Sequence, residues 1–259
     1  SMALLAQTLA LLAVTLTTMA NKVKRLDMAE DSFDDQYQGC RPAMTAALPA
    51  LKRSELQLNP AFAKAWAEAT GRWQKRRSTD SPLSPAQATA VIAFATDGLH
   101  QEFNAAVGAA GRSPREYRDN FHFKTLHFLL TDALAALRAD LGGTCQDTFH
   151  RLCGVQFVAQ QGDTVRFDRF LSVPRSGGPD SCPGKGSLLR VYTCRGVDVT
   201  FFTTDLPKGG VVIPPFETFK VVQVTQHGDT AVMQLRSAGT SSNHNCEWLK
   251  GDSAGDSLG

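Results

Sequence analysis

The spacing of apolar residues divides the chain into a helical first half and a strand-rich second half. In Asn59–Arg77, large apolar side chains recur every three or four residues, which is the period of one helix face. Ser84-Pro85-Ala86-Gln87 is a capping box that opens a second helix. We therefore predict helices over Asn59–Arg77, Ser84–Ala95, Leu99–Ala110 and Phe123–Leu141.

From Cys145 onward the pattern changes to short β-branched and aromatic runs separated by Gly, Pro and Asp. The predicted strands are Phe149–Val158, Thr164–Leu171, Leu188–Thr193, Val197–Thr203, Val211–Val224 and Thr230–Arg236. Strands that follow a block of helices indicate an α+β fold rather than alternating α/β. We expect one domain over residues 21–259, with a mostly helical part (27–143) packed on two strand layers (145–250) and a cleft between the layers.

Composition excludes several classes of protein. Hydrophobic content of 42% and charged content of 20% in 259 residues are ordinary for a soluble globular chain. A net charge of +2 gives no ground for predicting nucleic-acid binding. No CxxC or His-rich spacing indicates a metal site, so we expect no metal. We expect a monomer.

The two ends of the sequence indicate secretion. Ala3–Thr18 is apolar and uncharged, and Thr18-Met19-Ala20 has the small residues that a signal peptidase reads, so residues 1–20 are predicted to be a signal peptide. After Cys246 the sequence is polar and carries no hydrophobic tail of the kind that a GPI anchor requires. We therefore expect a secreted, extracellular protein without a membrane anchor. Its six cysteines indicate disulfides, and counting alone leaves fifteen pairings open.

Five segments resemble, in order, those of the vertebrate ecto-mono-ADP-ribosyltransferases, and together they span about residues 26–250. They are Ser32–Cys40 (SFDDQYQGC), Phe121–Leu134 (FHFKTLHFLLTDAL), Val165–Ser172 (VRFDRFLS), Val211–Phe219 (VVIPPFETF) and Ser241–Lys250 (SSNHNCEWLK). The resemblance implies the ADP-ribosyltransferase fold, in which the sheets form a cleft for NAD. It also implies NAD as a substrate and protein arginine side chains as acceptors.

The same resemblance implies three functional positions. The family has an arginine that holds the pyrophosphate or ribose of NAD, and this role carries over to Arg151. The family sequence there is Tyr/Phe-Arg-Gly, whereas this chain has Leu152 after Arg151. The family serine carries over to Ser172, where Ser-x-Ser has become Ser172-Val173-Pro174. His150 precedes Arg151, and we interpret it as structural.

The third position is the catalytic carboxylate, and the chain lacks it. In the family a Glu-x-Glu pair precedes the Val-Leu-Ile-Pro-Pro strand, and its second Glu steadies the positive charge that develops when the nicotinamide–ribose bond breaks. Here the two acidic positions hold Lys208 and Gly210. Asp205 in the preceding loop is the candidate substitute. Glu217 is not one, since its equivalent is acidic in active members and an odd separation puts it on the opposite face of a regular strand from Gly210.

Two further expectations concern the turn and the cysteines. The Gly209-Gly210 pair predicts a hairpin turn. The resemblance implies the disulfides Cys40–Cys246 and Cys145–Cys194. It leaves Cys153 and Cys182 either paired with each other or free.

Three functions therefore compete. The family implies an arginine-specific mono-ADP-ribosyltransferase, and the missing Glu-x-Glu indicates that its catalysis is impaired or lost. The first alternative is a catalytically silent binding protein or decoy that keeps the fold. The second is a weak NAD glycohydrolase, which needs the same carboxylate.

Overall fold

The structure is a computed structural model that describes residues 22–76, 81–175, 182, 184–206 and 210–250. The predicted signal peptide and Lys208 lie outside these residues. The α-helices are α1 (Arg41–Leu58), α2 (Pro60–Arg76), α3 (Pro85–Phe94), α4 (Leu99–Ala110) and α5 (Lys124–Asp140). A π-helical turn (Glu116–Asn120) and a 3₁₀ turn (Glu247–Lys250) add to these. None of the helices in the described ranges combines the length and apolarity needed to cross a bilayer.

The strands form three sheets. They are β1 (Lys22–Arg25), β2 (Gln146–Cys153), β3 (Val155–Val158), β4 (Thr164–Arg166), β5 (Leu171–Val173), β6 (Gly186–Thr193), β7 (Val197–Asp198), β8 (Val211–Ile213), β9 (Glu217–His227) and β10 (Thr230–Thr240). The strand orders are β1-β3, β2-β6-β10-β9-β4 and β5-β8-β7. Helices followed by mixed sheets confirm the predicted α+β class.

The three-stranded sheet lies between two apolar cores. One face, with Val197 and Val212, packs against the helices. The alternate positions, including Val173 and Val211, pack against inward residues of the five-stranded sheet such as Leu189. Because side chains alternate across a strand, one short sheet serves both cores. The molecule therefore stacks helices, a small sheet and a large sheet in that order.

Local sequence explains where the helices start. Asn59 Oδ1 accepts the Phe62 backbone N–H at 2.9 Å, which caps α2. Ser84 and Gln87 form both hydrogen bonds of the predicted capping box at α3. Residues 88–94 of α3 are all buried, so this helix is held by packing on every side.

Three predicted strands are broken where the backbone turns. Gly154, with φ of +75°, separates β2 from β3 inside the predicted 149–158 run. The predicted 164–171 run divides between two sheets as β4 and β5. Pro214 and Pro215 end β8 before β9 begins in the other sheet, since proline cannot donate to a ladder.

Buried charge ties the first segment to the last. Asp34 accepts the backbone N–H groups of Asn243 at 2.9 Å and His244 at 3.0 Å. It also pairs with Arg166 at 3.0 Å, and both of these side chains are 0% exposed. The guanidinium of Arg166 donates in addition to the carbonyls of Ala29 and Pro215. This network holds four separate segments together.

Disulfides reinforce the same arrangement. Cys40–Cys246 joins the start of α1 to the C-terminal segment, and Cys145–Cys194 joins the entry to β2 to the end of β6. Both are the pairs that the resemblance implies. Cys153 is bonded to Cys182, so the pairing alternative holds for these two. No free cysteine remains, because all six are bonded.

Candidate active site

Ser172 lies at the centre of β5, an edge strand of the three-stranded sheet. It pairs with Val212 on β8 and is 3% exposed. No described residue shares a hydrogen bond with its hydroxyl. Ser172 is therefore available to a ligand that reaches this edge.

The edge of β2 meets β5 next to this serine. Phe149 N donates to the carbonyl of Pro174 at 3.1 Å, which joins the corner of the large sheet to the end of β5. One β2 side chain points inward at this corner, and it lies closest to the predicted NAD cleft. The pairing of β2 with β6 shows whether this side chain belongs to His150 or to Arg151.

The two residues lie on opposite faces of β2. His150 pairs with Leu189, which is fully buried in the core between the sheets, and His150 itself is 4% exposed. Arg151 pairs with the half-buried Leu188 and faces outward. The structure therefore does not bring the Arg151 side chain to the same side as the inter-sheet core. It places His150 there instead, which agrees with our interpretation of His150 as a packed residue.

Arg151 lines a separate groove of about 490 Å³ on the outer face of the large sheet. Its neighbours there include Cys182, Arg190 and His227. Its Nε is buried and has no hydrogen-bond partner in the described structure. The sequence prediction placed Arg151 and Ser172 in one site, and the structure shows them on different surfaces.

Gly210 directly precedes β8, and its carbonyl accepts the N–H of Val199 at 2.8 Å, so it extends the β7–β8 pairing. Gly209, the other residue of the predicted hairpin turn, lies outside the described residues. A Cβ on Gly210 would lie 2.1 Å from Thr200 Cγ2 and 3.3 Å from Asp198 Oδ1. Any larger residue here requires Thr200 to rotate away.

Asp198 is a carboxylate at this position that the sequence analysis did not single out. Its Oδ1 accepts from Thr200 N at 2.8 Å and from Thr200 Oγ1 at 2.6 Å. Its Oδ2 pairs with Arg175 Nε at 3.2 Å, and the side chain is 21% exposed. The Asp-x-Thr spacing is a signal for such a turn. The register that brings β7 beside Gly210 is not visible in the sequence.

Asp205, the predicted substitute, is engaged elsewhere. Its carboxylate pairs with Arg72 on α2, and both side chains are about half exposed. Arg76 Nη1 donates to the carbonyl of Phe202 at 2.5 Å, which holds the same loop against α2. The atoms closest to a Cβ on Gly210 belong to Thr200 and Asp198, and none belongs to Asp205. The described geometry therefore favours Asp198 over Asp205 as the nearby carboxylate.

Glu217 is fully buried, and its carboxylate is held by residues on neighbouring strands and loops. It accepts hydrogen bonds from Thr193 Oγ1 at 2.5 Å, Cys194 N at 2.7 Å and Ser237 Oγ at 2.7 Å. Burial raises the pKa of its carboxyl, and these hydrogen bonds oppose that rise. The alternation argument does not apply, because Glu217 and Gly210 lie in different sheets.

A groove of about 700 Å³ lies away from this corner and contains none of the predicted site residues. It runs between the segment Lys24–Ser32 and β4. Lys24 is paired within it, since its Nζ lies 2.6 Å from Asp168, which also pairs with Arg169 at 2.7 Å. Within the described ranges, no group of three or more His, Cys, Asp or Glu residues could hold a metal ion.

Comparison with known proteins identifies the family. A family model described as NAD:arginine ADP-ribosyltransferase matches residues 26–243. The chain belongs to this family.

Its relatives include named arginine-specific enzymes. The mouse GPI-linked NAD(P)(+)–arginine ADP-ribosyltransferase 1 is 41% identical over 238 residues, covering 87% of this chain and 73% of that protein. The chicken erythroblast NAD(P)(+)–arginine ADP-ribosyltransferase is 42% identical over 229 residues, covering 87% and 76%. The human GPI-linked enzyme 1 is 38% identical over 244 residues, covering 87% and 75%.

Solved structures agree with the fold. The crystal structure of the eucaryotic mono-ADP-ribosyltransferase ART2.2 matches with a TM-score of 0.70 and 28% identity, covering 86% of this chain and 98% of that one. A variant of ART2.2 in complex with NAD matches with a TM-score of 0.71 and 29% identity. Structural neighbours of this chain therefore bind NAD.

The relatives also correct the predicted localisation. We expected a freely secreted protein, because the sequence has no hydrophobic C-terminal tail. That expectation is wrong by comparison, since the mouse, rabbit and human relatives are named GPI-linked. This chain spans about three quarters of their lengths, so the residue at which it stops does not bear on an anchor.

Proposed function

We propose that this member of the arginine ADP-ribosyltransferase family has impaired or absent transferase activity. The observation that carries the proposal is Gly210, at the place where the resemblance puts the catalytic glutamate. Cleaving the nicotinamide–ribose bond develops positive charge as in glycoside hydrolysis. Electrostatic stabilisation is usually the largest single catalytic contribution, and glycine supplies none of it.

The register of β2 supports the same conclusion. The family motif requires an arginine next to NAD, and β2 turns His150 rather than Arg151 toward the inter-sheet core. An imidazole is shorter than a guanidinium and lacks its five-donor fork, so it binds a pyrophosphate less well. If Arg151 is the NAD contact, β2 must rotate on binding. Ser172 remains the proposed contact on β5.

A specific observation supports weak NAD hydrolysis as a second candidate function. Asp198 Oδ1 lies 3.3 Å from the position of a Cβ on Gly210. A carboxylate there is the described group best placed to stabilise an oxocarbenium-like ribose. Aspartate is one methylene shorter than glutamate, and Arg175 neutralises one of its oxygens. Both features limit the rate, which favours slow hydrolysis over arginine transfer.

We also propose that the chain acts at the outer cell surface, as its GPI-linked relatives do by name. Three disulfides are consistent with an oxidising, extracellular compartment. NAD is the proposed ligand, and protein arginines are the acceptors in a catalytically restored form.

The deciding experiment restores the missing carboxylates. Gly210→Glu is combined with Thr200→Ala, because a Cβ at 210 would otherwise meet the Thr200 methyl at 2.1 Å. Lys208→Glu is added in a second variant. Transfer to a small guanidine acceptor and NAD hydrolysis are both measured, and NAD binding is followed by calorimetry. Gly210→Glu with Thr200→Ala is expected to raise mainly hydrolysis, and the triple variant is expected to raise arginine transfer.

The matched control is Gly210→Ala with Thr200→Ala, which makes the same steric change without a carboxylate. It should remain as inactive as the unmodified chain. Robust arginine transfer by the unmodified chain, lost in Arg151→Ala and kept in His150→Ala, would contradict the proposal. It would show that Arg151 and another carboxylate form a working site.

A further inference from the structure

We propose that the outward face of the five-stranded sheet binds a linear sulfated polysaccharide of the extracellular glycosaminoglycan type. The binding groups are Arg151, Arg190, Arg236 and Lys220, which we call the cation track. They lie on β2, β6, β10 and β9, four strands that follow one another in the sheet. The proposal is independent of catalysis.

Strand register places the four cations on one face. Arg151 pairs with Leu188, two residues from Arg190 on β6. Tyr192, two residues beyond Arg190, pairs with Arg236 on β10. Arg236 in turn pairs with Lys220 on β9. Since residues two apart share a face and directly paired residues share a face, all four side chains point the same way.

The track is straight enough for a linear ligand. From Arg151 to Arg190 and from Arg190 to Arg236, each step moves one strand across and two residues along. With about 4.8 Å between strands and about 3.4 Å per residue, the track from Arg151 to Lys220 spans about 20 Å. Diagonal neighbours of this kind are within reach of one another for long side chains. A chain of several sulfated sugars can contact all four.

Their charges are not neutralised by acidic partners. None of the four forms an ion pair within the described part of the chain. Arg236 lies over the Tyr192 ring at 5.0 Å, and Lys220 Nζ contacts Thr164 Oγ1 at 3.3 Å. Arg151 Nε has no acceptor. Two carboxylates lie near the track: Asp147 on β2 pairs with Tyr192, and Asp229, between β9 and β10, lines the groove at Arg151 and Arg190.

No described helix or strand covers this face. The inward residues of the same strands, such as Leu189, Val191 and Met233, form the core against the small sheet. The β1–β3 pair approaches that inner side too, since Phe157 N donates to the buried Ser187 hydroxyl at 2.8 Å. Arg190, Arg236 and Lys220 are exposed. Positive charge is therefore concentrated on this face, although the net charge of the whole chain is +2.

The chemistry of the face favours a polysaccharide over other polyanions. Nucleic acid binding to a sheet normally uses aromatic rings on which bases stack. Here Tyr192 is covered by Arg236, and Phe149 is half buried. Insertion into a membrane requires projecting apolar side chains, and the outward Leu188 and Val232 are half buried between the cations. Arginine-rich patches of this kind are typical of heparin-like ligands.

Immobilised heparin tests the proposal, with binding measured by surface plasmon resonance at several salt concentrations. Arg190→Gln with Arg236→Gln removes two central cations and leaves Arg151 unchanged. The affinity is expected to fall about thirtyfold, because each surface cation contributes roughly fivefold. The matched control, Arg53→Gln with Lys64→Gln, removes the same charge from exposed positions on α1 and α2. It is expected to bind like the unmodified chain.

Two further comparisons make the result decisive. Arg190→Lys with Arg236→Lys keeps the charge and should retain most of the affinity, and desulfated heparin should not bind. Equal losses in the track and control variants would overturn the proposal, since only net charge would then matter. Tighter binding to single-stranded DNA or to phosphatidylserine vesicles than to heparin at equal salt would also overturn it.

Discussion

Two polar regions, one around Arg166 on β4 and one around Ser172 on β5, differ in how completely their groups are paired. Around Arg166 and Asp34, a fully buried ion pair is surrounded by backbone donors and acceptors from three segments. Around Ser172 and Gly210, the serine hydroxyl has no hydrogen-bond partner among the described residues, and the position for a carboxylate carries no side chain. In the first region the two charges neutralise each other, although Arg166 Nε has no hydrogen-bond partner in the described structure. We call it the paired region and the second the incomplete region.

The difference separates what the fold needs from what the reaction needs. Leaving a buried charge unpaired is costly, so the first region cannot lose a member without destabilising the protein. The second region can lose its glutamate because Gly210 still makes its backbone hydrogen bond to Val199. The fold therefore tolerates glycine at the position where the resemblance puts the catalytic glutamate.

The largest expected effect comes from the disulfide beside the paired region. Replacing both Cys40 and Cys246 by serine opens a bond that spans 206 residues. The chain-entropy model assigns about 5 kcal/mol to a loop of this length, against about 3.5 kcal/mol for Cys153–Cys182 with its separation of 29. Denaturant unfolding of the two double variants measures both losses. A larger loss for Cys153–Cys182 would contradict this ordering.

The buried ion pair comes next. Arg166→Met keeps the length of the side chain but removes the charge, which leaves Asp34 buried with only backbone donors. The free energy of unfolding is expected to fall by about 3–5 kcal/mol. The control is Lys24→Met, which breaks a partly exposed pair with Asp168 and should cost below about 1 kcal/mol. Equal effects in calorimetric melting would show that burial of the Arg166 pair contributes nothing.

Much of this scaffold follows from the sequence. The bounds of α4 were predicted without error and those of α2, α3 and α5 to within one residue, because caps and apolar spacing are local signals. Helix α1 was missed: it contains Pro42 and Pro49 and buries only Met44, Leu51 and Glu55. The position of α1 is set by contacts with other helices, and such contacts leave no pattern in the local sequence.

The site was less predictable because it depends on register. If a functional role is assigned to the neighbouring residue of a strand, the side chain concerned lies on the opposite face of the sheet. The motif alone placed Arg151 in the cleft, whereas the pairing with Leu188 turns it outward. Asp198 could not be found beforehand, since its approach to Gly210 depends on how β7 pairs with β8.

A pH effect of intermediate size tests the helix core next to Asp34. His127 is fully buried, and desolvation lowers its pKa to about 3. A histidine with a depressed folded pKa stabilises the fold above its unfolded value of 6.5, and this stability is lost as pH falls below that value. The loss attributable to His127 should reach about 2 kcal/mol at pH 5.

The measurement compares the unmodified chain with His127→Gln between pH 7 and pH 5. The variant is expected to be less stable at pH 7, because it loses the contacts to Tyr37 and Phe33. It should also lose less stability on acidification. Parallel curves for the two proteins would show that His127 does not bind a proton on unfolding.

Substitutions in the incomplete region are expected to have the smallest effect on stability. Their effect on NAD hydrolysis distinguishes two candidate carboxylates. Asp198→Asn can still accept from Thr200 and loses only its charge toward Arg175, so stability should change by below about 1 kcal/mol. Asp205→Asn breaks a half-exposed pair with Arg72 at a similarly small cost.

If Asp198 is the carboxylate that supports residual NAD hydrolysis, Asp198→Asn abolishes that activity and Asp205→Asn leaves it unchanged. The reverse pattern would return the role to Asp205. Hydrolysis no faster than the uncatalysed background in the unmodified chain would reject an enzymatic role for both, because neither carboxylate would then replace the missing glutamate.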